Sequence, residues 1–583
     1  MAKKGNRIIV VGGGLAGLSA TIKIAETGTP VELFSMVPVR RSHSVCAQGG
    51  INAAKDTHGQ GDSTWEHFDD TIYGGDFLAN QTPVKAMCEA APAIIDLLDR
   101  MGVTFNRTPE GHLDVRAFGG AKFKRTAFAG ATTGQQLMYA LDEQVRRFEA
   151  QGLVKKYEFW EFLAPVLDSE QRCRGIVAMS LDAMDVRAFP ADAVIMATGG
   201  PGLIYSTNTT NSFINSGSAA GACYRHGVDY ANGEFIQVHP TAIQGEDKRR
   251  LISESVRGEG GRVWVPKDGK PWYFLEEWYP AYGNLVPRDI ATRAIFKAVY
   301  ELGLGIDGKN VVYLDVSHLD PDYLTNKLGG VLEIYEKFVG DDPRKIPMQI
   351  FPAVHYSMGG LWVDFEQMTN IRGLFAAGEC EYQYHGANRL GANSLLSCIY
   401  GGFQAGPNAA EYISGLPDLP DSVTLLQEAE KRERDINNEW LKKDNGENPY
   451  ALWREMGDLM TKNVTVIREN DKLQETDAKL KEIEDRYYNK VSVPDKSLWK
   501  NQPLQFTRQL ENMITLARAI TLGALERNES RGAHYKPEFP TRDDENWLKT
   551  TRATYAKEGP QLSYEDVDIQ FIPLRERKYD VEK

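Results

Sequence analysis

The chain begins with a short strand that leads directly into a cluster of glycines. Residues 7–17, RIIVVGGGLAG, have the pattern of a buried strand followed by a turn, and residues 18–28 continue with helical periodicity. Gly12, Gly14 and Gly17 have the G-x-G-x-x-G spacing that provides a tight turn, close approach to a pyrophosphate and helix–strand packing. The segment therefore predicts a dinucleotide-binding βαβ unit whose helix N-terminus faces the phosphates.

The second strand of this unit departs from the usual pattern at its end. The strand PVELFSMV starts at Pro30, and an acidic residue that binds the ribose is expected where it finishes. Ser35 and Met36 occupy that place, and Glu32 lies earlier in the strand. We expect the hydroxyl of Ser35 to bind a ribose hydroxyl instead.

Two later segments repeat the combination of an apolar strand and glycine. They are ADAVIMATGG, residues 191–200, and NIRGLFAAGEC, residues 370–380. Either segment alone is typical of a structural strand with a tight turn. Three such units indicate one cofactor-binding domain that is interrupted by an insertion, which we expect to form a capping domain.

The last third of the chain has a different composition. The stretch SGLPDLPDS, residues 414–422, reads as a linker, and residues 423–530 are rich in Glu, Lys, Leu and Gln, with apolar stripes typical of a helix bundle. The fold class is therefore predicted as α/β, with a Rossmann-like domain, an inserted α+β cap, a helical domain and a C-terminal tail domain. The predicted boundaries are 1–235 and 355–415 for the cofactor domain, 236–354 for the cap, 416–534 for the helical domain and 535–583 for the tail.

Bulk properties exclude several classes of function. A net charge of −13 argues against nucleic acid as a partner. The six cysteines form no CxxC and fit neither a zinc site nor an iron–sulfur cluster, so we expect no metal site and reduced, cytosolic thiols. No apolar run of 18 residues exists, which predicts that the chain does not span a membrane. Residues 1–20 superficially resemble a signal peptide, but the glycine cluster favours a cofactor loop.

Histidine, arginine and glutamate are concentrated in and around the insertion. Any one of these residues alone is more simply read as structural: a hydrogen-bonded histidine, a surface ion pair or an arginine clamp. Their joint occurrence in a fixed order argues otherwise. The segments, in chain order, are EFIQVHPTAI, LISESVRGEGGR, NLVPRDIATR, FPAVHYSMGG and YHGANRLGANSLL.

Together with SHSVCAQGGI near the start, these motifs resemble the flavoprotein subunits of succinate dehydrogenase and quinol:fumarate reductase. The resemblance extends from about residue 7 to the RGAHY segment at residues 531–535. The surrounding sequence is similar to the branch whose membrane anchor is a single di-haem cytochrome b polypeptide. The resemblance implies an FAD-containing catalytic subunit of a membrane-bound succinate:quinone oxidoreductase.

The resemblance also implies roles for individual residues at the substrate. Arg288 exchanges a proton with the substrate carbon, and Glu254 and Arg257 relay protons to it. This arginine is an unusual acid because the ordinary pKa lies above 12, so geometry has to make the transfer possible. The residues implied to hold the dicarboxylate, for which guanidinium and imidazole donors are suited, are Phe118, His239, Ser253, His355 and Arg389.

For the flavin, the resemblance implies a covalent bond from His43, in RRSHSVCAQGG, to the 8α-methyl carbon of FAD. Ser218 stands where many relatives have an aspartate that contacts the cofactor, so no role is assigned to it. The other residues implied to bind FAD are Gly12, Gly14, Gly17, Ser35, Ala47, Gln48, Gly49, Gly50, Ala197, Thr198, Gly199, Glu379, Arg389, Ser394 and Leu395.

The implied partners are succinate and fumarate, an iron–sulfur subunit and, indirectly, a membrane-anchor cytochrome b subunit. The implied location is peripheral, on the cytoplasmic face of the cell membrane. Two alternatives stay open: a soluble fumarate reductase or L-aspartate oxidase, and a non-catalytic FAD-binding scaffold. The histidine at position 43 argues against the first, because such soluble relatives typically lack it. The presence of Arg288, Glu254 and Arg389 argues against the second.

Overall fold

The computed structural model describes residues 7–417 and 421–579. The predicted linker at residues 414–422 includes residues 418–420, which lie outside the described residues, as do residues 1–6 and 580–583. The strands, in chain order, are β1 (Ile8–Val11), β2 (Val31–Ser35), β3 (Ile51–Asn52), β4 (Val115–Arg116), β5 (Thr126–Ala127), β6 (Val154–Glu158), β7 (Trp160–Leu167), β8 (Cys173–Ser180), β9 (Val186–Pro190), β10 (Ala193–Met196), β11 (Tyr230–Ala231), β12 (Ile236–Ile243), β13 (Arg250–Leu251), β14 (Arg262–Lys267), β15 (Lys270–Trp272), β16 (Val312–Asp315), β17 (Met348–Ser357), β18 (Gly360–Leu361), β19 (Leu374–Ala376), β20 (Lys549–Thr554) and β21 (Gln561–Asp566).

The helices alternate with these strands in the first two thirds of the chain and dominate the region after residue 390. They are α1 (Leu15–Glu26), α2 (Thr64–Gly74), α3 (Gln81–Arg100), α4 (Thr133–Ala150), α5 (Ser218–Arg225), α6 (Ser255–Gly258), α7 (Phe274–Trp278), α8 (Arg288–Phe296), α9 (Pro321–Val339), α10 (Asn393–Ser414), α11 (Val423–Lys442), α12 (Pro449–Asn463), α13 (Asn470–Lys490), α14 (Gln502–Glu526) and α15 (Asp544–Trp547).

A five-stranded parallel sheet forms the centre of the first domain, in the order β19-β10-β1-β2-β6. The strands β1, β10 and β19 are the three that the sequence predicts to precede glycine turns, and they lie side by side. Their carboxyl ends therefore meet at one edge of the sheet, where α/β folds bind their ligands. Residues separated by more than 350 positions are thus brought to a single site.

The insertion contains a second, antiparallel sheet, in the order β13-β12-β17-β16-β14-β15. The chain enters it through β12 and leaves it through β17, and these two strands pair from Ile236↔Ser357 onwards. Helices α8 and α9 contribute to its hydrophobic core. Because both connections to the first domain run through one strand pair, the insertion stands over the edge of the parallel sheet as a cap.

Helices α11 to α14 form the helical region, and the apolar stripes expected there are core. Leu473, Leu480 and Ile483 of α13 are buried, and so are Leu510 and Met513 of α14. They belong to the same hydrophobic cluster, which continues into the first domain. The prediction that these stripes are bundle core rather than a partner surface is confirmed for these residues.

The tail adds strands that the sequence does not indicate. β20 pairs with β11 and β21, which gives a sheet in the order β18-β11-β20-β21. β21 is exposed or only half-buried at every position, so the short alternation of Leu562 and Tyr564 with polar residues marks no buried face. The domain boundaries given above stay predictions. Within residues 7–417 and 421–579, no helix is long and apolar enough to cross a membrane.

Candidate active site

A cavity of about 600 Å³ lies between the carboxyl ends of the parallel strands and the cap. All but two of the residues that the sequence predicts for the site line it. The exceptions, Gly17 and Arg257, lie directly behind lining residues. The lining residues are Gly12, Gly14, Ser35, His43, Ala47, Gln48, Gly49, Gly50, Phe118, Ala197, Thr198, Gly199, His239, Ser253, Glu254, Arg288, His355, Glu379, Arg389, Ser394 and Leu395.

The glycine turn lets α1 point its N-terminus at this cavity. A Cβ on Gly12, whose φ is +119°, would lie 2.0 Å from the carbonyl oxygen of Ala197, and one on Gly17 would lie 1.8 Å from the oxygen of Gly12. Gly17 is therefore required for the packing of helix on strand rather than as a wall of the cavity. Gly14 caps α1 without a side-chain hydrogen bond, and the amide of Leu15 donates to Oγ of Ser44 at 3.3 Å, so the other amides of the first turn are available to an anion.

Ser35 and Glu379, which are both predicted to bind ribose, line the cavity with different hydrogen-bond partners. The hydroxyl of Ser35 donates to the carbonyl oxygen of Val37 at 2.6 Å, which leaves its lone pairs as acceptors. Oε1 of Glu379 accepts from the amide of Ser357 at 3.1 Å. Burial raises the pKa of Glu379 to about 7, because the carboxylate has few donors around it.

His43 lies at the start of a 3₁₀ turn, His43–Cys46, on the cavity wall. Its Nε2 is 3.0 Å from Nδ2 of Asn211, and its buried Nδ1 has no hydrogen-bond partner among the described residues. Burial, with a smaller contribution from Lys248, lowers the pKa of His43 to about 4. The imidazole is therefore neutral at pH 7 and retains a lone pair.

The loop after His43 is held by a buried arginine. Arg116 donates to the carbonyl oxygens of Gln48 and Gly49, each at 3.0 Å. The ring of Phe118 packs against the same loop, because a Cβ on Gly49 would lie 2.9 Å from its Cζ atom. Oε1 of Gln48 is buried without a partner within the described part of the chain. The loop thus presents an unsatisfied acceptor beside the cavity.

Three cationic or neutral donors converge where the cap covers the cavity. Nδ1 of His239 accepts from the amide of Thr241 at 3.2 Å, so its buried Nε2 carries the proton, and no described residue accepts it. The His355 ring lies 5.0 Å from the His239 ring. Burial and nearby arginines lower the pKa of both histidines well below the usual value. Nε of Arg389 also lacks a partner among the described residues.

A chain of charged side chains leads away from this group. Nε of Arg288 donates to Oε2 of Glu254 at 2.8 Å, and Nη2 of Arg257 donates to Oε1 at 3.0 Å. Burial alone would raise the pKa of Glu254, but the two arginines together hold it below its ordinary value. All three side chains are buried. The cavity therefore contains an ionised carboxylate clamped between two guanidinium groups.

Sequence reasoning missed residues that position these groups. Oε1 of Gln237 accepts from Nη1 of Arg288 at 2.9 Å, and its Nε2 donates to the carbonyl oxygen of Arg389 at 2.7 Å. Gln237 lies two positions before His239 in β12, so the period of a strand could have indicated it. Asn211 and Thr210, which contact His43 and His355, lie in an irregular segment without such a signal.

Two residues without an assigned role have structural partners. Ser218 lines the cavity, and its hydroxyl accepts from Nδ2 of Asn512 of α14 at 3.0 Å. Nε2 of His67 lies 2.9 Å from Oδ1 of Asn393, behind the loop that carries Arg389. The first contact ties the helical region to the cavity wall, and the second supports the start of α10.

The family model that describes an FAD-binding domain matches residues 7–395, and the model for the C-terminal part of the fumarate reductase flavoprotein matches residues 453–579. The succinate dehydrogenase flavoprotein subunit of Bacillus subtilis is 65% identical over 580 residues, which cover 99% of each chain. The chain belongs to the succinate dehydrogenase and fumarate reductase flavoprotein family.

Solved structures agree with this membership. The FrdA chain of E. coli quinol fumarate reductase is 33% identical and matches with a TM-score of 0.93 over 99% of both chains. Sdh1 of Mycobacterium smegmatis is 29% identical, with a TM-score of 0.85 over 97% of this chain and 95% of that one. The predicted α/β fold class, with its FAD-binding, capping, helical and C-terminal parts, is confirmed.

The cofactor of this flavoprotein is FAD. The residues that line the cavity fit it: the first turn of α1 supplies amides other than that of Leu15 for the pyrophosphate, and Gly12 allows the tight turn that brings the helix to the cavity. Buried polar atoms of His43 and Gln48 have no partner among the described residues, so a polar ligand is needed to satisfy them.

Proposed function

We propose that the chain is the FAD-containing catalytic subunit of a membrane-bound succinate:quinone oxidoreductase that interconverts succinate and fumarate. The observation that supports this most strongly is the buried chain Arg288–Glu254–Arg257, which lies next to two neutral histidines and Arg389 in a cavity of an FAD-binding family. The relatives that bear the names succinate dehydrogenase and fumarate reductase are similar over nearly their whole length.

A dicarboxylate of two negative charges suits the donors of the cavity. The buried Nε2–H of His239 and the Nε of Arg389 both need acceptors, and a carboxylate supplies them. His355 and Ser253 line the same region. In the proposal these four side chains hold the two carboxylates, and Phe118 packs against the carbon chain between them.

FAD, when bound, accepts a hydride from succinate or returns one to fumarate. The chain handles the accompanying proton at the neighbouring carbon, and Arg288 is the residue that holds it. Glu254 contacts both Arg288 and Arg257, so it can pass a proton between them without moving. Gln237 fixes Arg288 from the other side, which keeps the guanidinium in one orientation.

The test is succinate oxidation by the purified protein with an artificial dye as electron acceptor. We expect Arg288→Ala to lose about 10³-fold in rate, within the range of general acid–base effects, while its FAD content stays that of the wild type. Near wild-type activity in this variant would contradict the mechanism, whereas a wild-type protein that binds FAD but does not oxidise succinate would favour the scaffold.

We further propose that His43 carries FAD through a bond to the 8α-methyl carbon. The neutral imidazole with a pKa of about 4 supports this, because only an unprotonated nitrogen can form a bond to carbon. The acid-denatured chain should show flavin fluorescence at its own position on a gel, and His43→Ser should abolish that signal. A wild-type band without fluorescence would favour a soluble type of flavoprotein.

The partners proposed are an iron–sulfur subunit and, through it, a cytochrome b anchor that holds the chain on the cytoplasmic face of the membrane. Relatives named as flavoprotein subunits, and an Sdh1 complex among the structural matches, support this assembly. When a tagged chain is purified from detergent-solubilised membranes, an iron–sulfur protein should co-purify with it, and succinate should reduce the clusters of that protein. Recovery of the chain alone from the membrane-free fraction would contradict the assembly.

A further inference from the structure

Three consecutive basic residues lie where the cavity opens. Lys248 and Arg249 lie between β12 and β13 in the cap, Arg250 is the first residue of β13, and all three line the cavity. The guanidinium of Arg250 lies 3.9 Å over the ring of Phe338, which is 57% exposed and lines the same end of the cavity. Cys46, which also lines the cavity, is exposed as well. These exposed residues mark this end as the route to solvent.

Two of the three basic residues have only neutral partners. Arg250 pairs with Asp247 at 2.9 Å. Nζ of Lys248 donates to the carbonyl oxygen of Asn211 at 3.3 Å, and Arg249 donates to oxygens of Asn208 and Gly245. Among the described residues, the ion pairs include no carboxylate within 4 Å of Lys248 or Arg249.

Burial makes this lack of an acid costly. Lys248 and Arg249 are both half-buried, and burial is the main cause that lowers the pKa of each side chain. A partly desolvated cation without a counter-ion is unfavourable. Lys248 and Arg249 therefore favour the binding of an anion at this position. The acidic neighbours Glu246 and Asp247 are exposed, and Asp247 is already paired with Arg250.

The location of the pair relates it to the inner site. Lys248 binds the carbonyl oxygen of Asn211, whose amide contacts both His43 and the backbone of His355. The charge of Lys248 is felt at His43. A dianion that enters from the exposed end therefore meets cationic side chains first at the mouth and then at Arg288 and Arg389.

The net charge of the chain, −13, disfavours the approach of a dianion at long range. Local positive charge at the mouth of a low-dielectric cavity reverses that effect, because such cavities concentrate the field. We propose that Lys248 and Arg249 form an outer binding site that captures small dicarboxylates at the entrance and raises their occupancy of the inner site. The inference rests on the proposed function, since it assumes that dicarboxylates are the substrates.

The experiment uses the purified complex and malonate, a dicarboxylate that cannot be dehydrogenated. Its binding is followed by the change in flavin absorbance in a stopped-flow instrument at several ionic strengths. For the double variant Lys248→Gln/Arg249→Gln we expect the association rate at low salt to fall about five- to tenfold, as the loss of two nearby charges predicts. The difference from the wild type should shrink below about twofold at 0.5 M salt, where the Debye length is only a few ångströms.

A matched control removes the same charge elsewhere on the cap. Lys267 and Lys270 lie at the exposed β14–β15 turn and do not line the cavity. Lys267→Gln/Lys270→Gln should bind malonate within about twofold of the wild-type rate, since its charges lie outside the entrance. The exchange Lys248→Arg/Arg249→Lys, which keeps both charges, should restore the wild-type rate and its dependence on salt.

The outcomes separate this inference from the proposed function. A wild-type flavin spectrum that responds to neither malonate nor succinate would overturn the proposed function itself. If malonate binds and the double variant matches the wild type at every salt concentration, the outer site alone is overturned. A loss of rate that persists unchanged at 0.5 M salt, or that charge-keeping substitutions fail to restore, would equally overturn it, because the effect would then be steric.

Discussion

The two halves of the cavity differ in how far the chain satisfies its own polar groups. On the side of the cap, Glu254 accepts from Arg288, Arg257 and the amide of Gly119. On the side of the parallel sheet, buried atoms of His43 and Gln48 have no partner in the described chain. The carboxylate of Glu254 is therefore paired before any ligand binds, whereas His43 and Gln48 are not, and the donors Nε2 of His239 and Nε of Arg389 also lack partners among the described residues.

The difference follows from the cost of burying charge. An ionised carboxylate deep in the protein must be paired at all times, or its pKa rises and it becomes neutral. Neutral acceptors and imidazoles are less costly to leave unpaired until a cofactor arrives. The comparison teaches that Arg288, Glu254 and Arg257 are preorganised by the chain, which is the arrangement that stabilises transition states best, whereas the flavin side is completed by FAD.

The largest effect is expected when the carboxylate of Glu254, which pairs Arg288 with Arg257 on the side of the cap, is removed. Glu254→Gln leaves two buried guanidinium groups without their shared carboxylate. We expect rates in both directions to fall about 10³-fold, since relay of the proton is lost, with an FAD-to-protein ratio near that of the wild type. Dye-linked succinate oxidation and fumarate reduction measure the rates.

The control is a buried acid outside the cavity. Glu433 is buried and paired with Arg508 in the helical region. Glu433→Gln should lower the stability of the protein but leave the activity per bound FAD within about twofold, because it is remote from the chemistry. Equal losses of activity in the two variants would show that the effect of Glu254→Gln is structural.

The second prediction concerns His43, on the side of the cavity formed by the parallel sheet. His43→Ser should leave FAD bound non-covalently, reduce succinate oxidation about 100-fold and reduce fumarate reduction by less than about tenfold, a difference of about 1.4 kcal/mol or more between directions. The reason is that an alkylated histidine beside the ring makes the flavin easier to reduce, and succinate is a weak reductant. Equal loss in both directions would contradict this account.

How much of this arrangement the sequence predicts depends on the kind of signal. The glycine turn, the three strands of the parallel sheet and the apolar stripe of α13 follow local periods, so they could be predicted. The tail strands β20 and β21 could not, because β21 is largely exposed and its alternation is limited to Leu562 and Tyr564. The pairing of β20 with β11, more than 300 residues away along the chain, is set by tertiary packing.

The candidate site shows the same division. Residues in dense motifs, such as Arg288, Glu254 and Arg389, were named from their order in the chain. Gln237, Asn211 and Lys248 were missed because their roles depend on what lies across the cavity from them. Arg257 and Gly17 were named, but the structure places them behind the lining.

Gln237 offers a test of how Arg288 and Arg389 are positioned on the side of the cap. Gln237→Leu removes hydrogen bonds to Arg288 and to the carbonyl oxygen of Arg389. A lost hydrogen bond to a charged group costs about 1.5–3 kcal/mol, so we expect kcat to fall at least about tenfold. As a positioning effect, the loss should appear in kcat more than in KM.

Gln81 provides the comparison. It is fully buried and donates to the carbonyl oxygen of Ile572, in the tail and outside the cavity. Gln81→Leu should lower the melting temperature without changing kcat. If both variants lose only stability, Gln237 has no special role in orienting Arg288.

The smallest expected effect concerns the neutral network behind the loop of Arg389. Burial and Arg125 lower the pKa of His67 to about 3, against about 6.5 in the unfolded chain. The unfolded state therefore binds a proton first, so the stability that His67 contributes is full above pH 6.5 and is lost as the pH falls towards 3. The slope is up to about 1.4 kcal/mol per pH unit.

His67→Gln keeps a donor for Asn393 but cannot titrate. Between pH 7 and pH 5, its free energy of unfolding in urea should fall about 2 kcal/mol less than that of the wild type. His318 is exposed, and His318→Gln should follow the wild-type pH dependence. An identical pH dependence for His67→Gln and the wild type would mean that His67 is not held neutral in the folded chain.

The central claim is that this chain positions a dicarboxylate between FAD and a proton carried by Arg288. The most direct measurement is the absorbance of the bound flavin under anaerobic conditions after addition of succinate alone. The account predicts bleaching in the wild type that fumarate reverses, and no bleaching on the same timescale in Arg288→Ala, although dithionite bleaches both. Bleaching of Arg288→Ala by succinate at the wild-type rate, or a wild-type flavin that succinate cannot bleach, would contradict the claim.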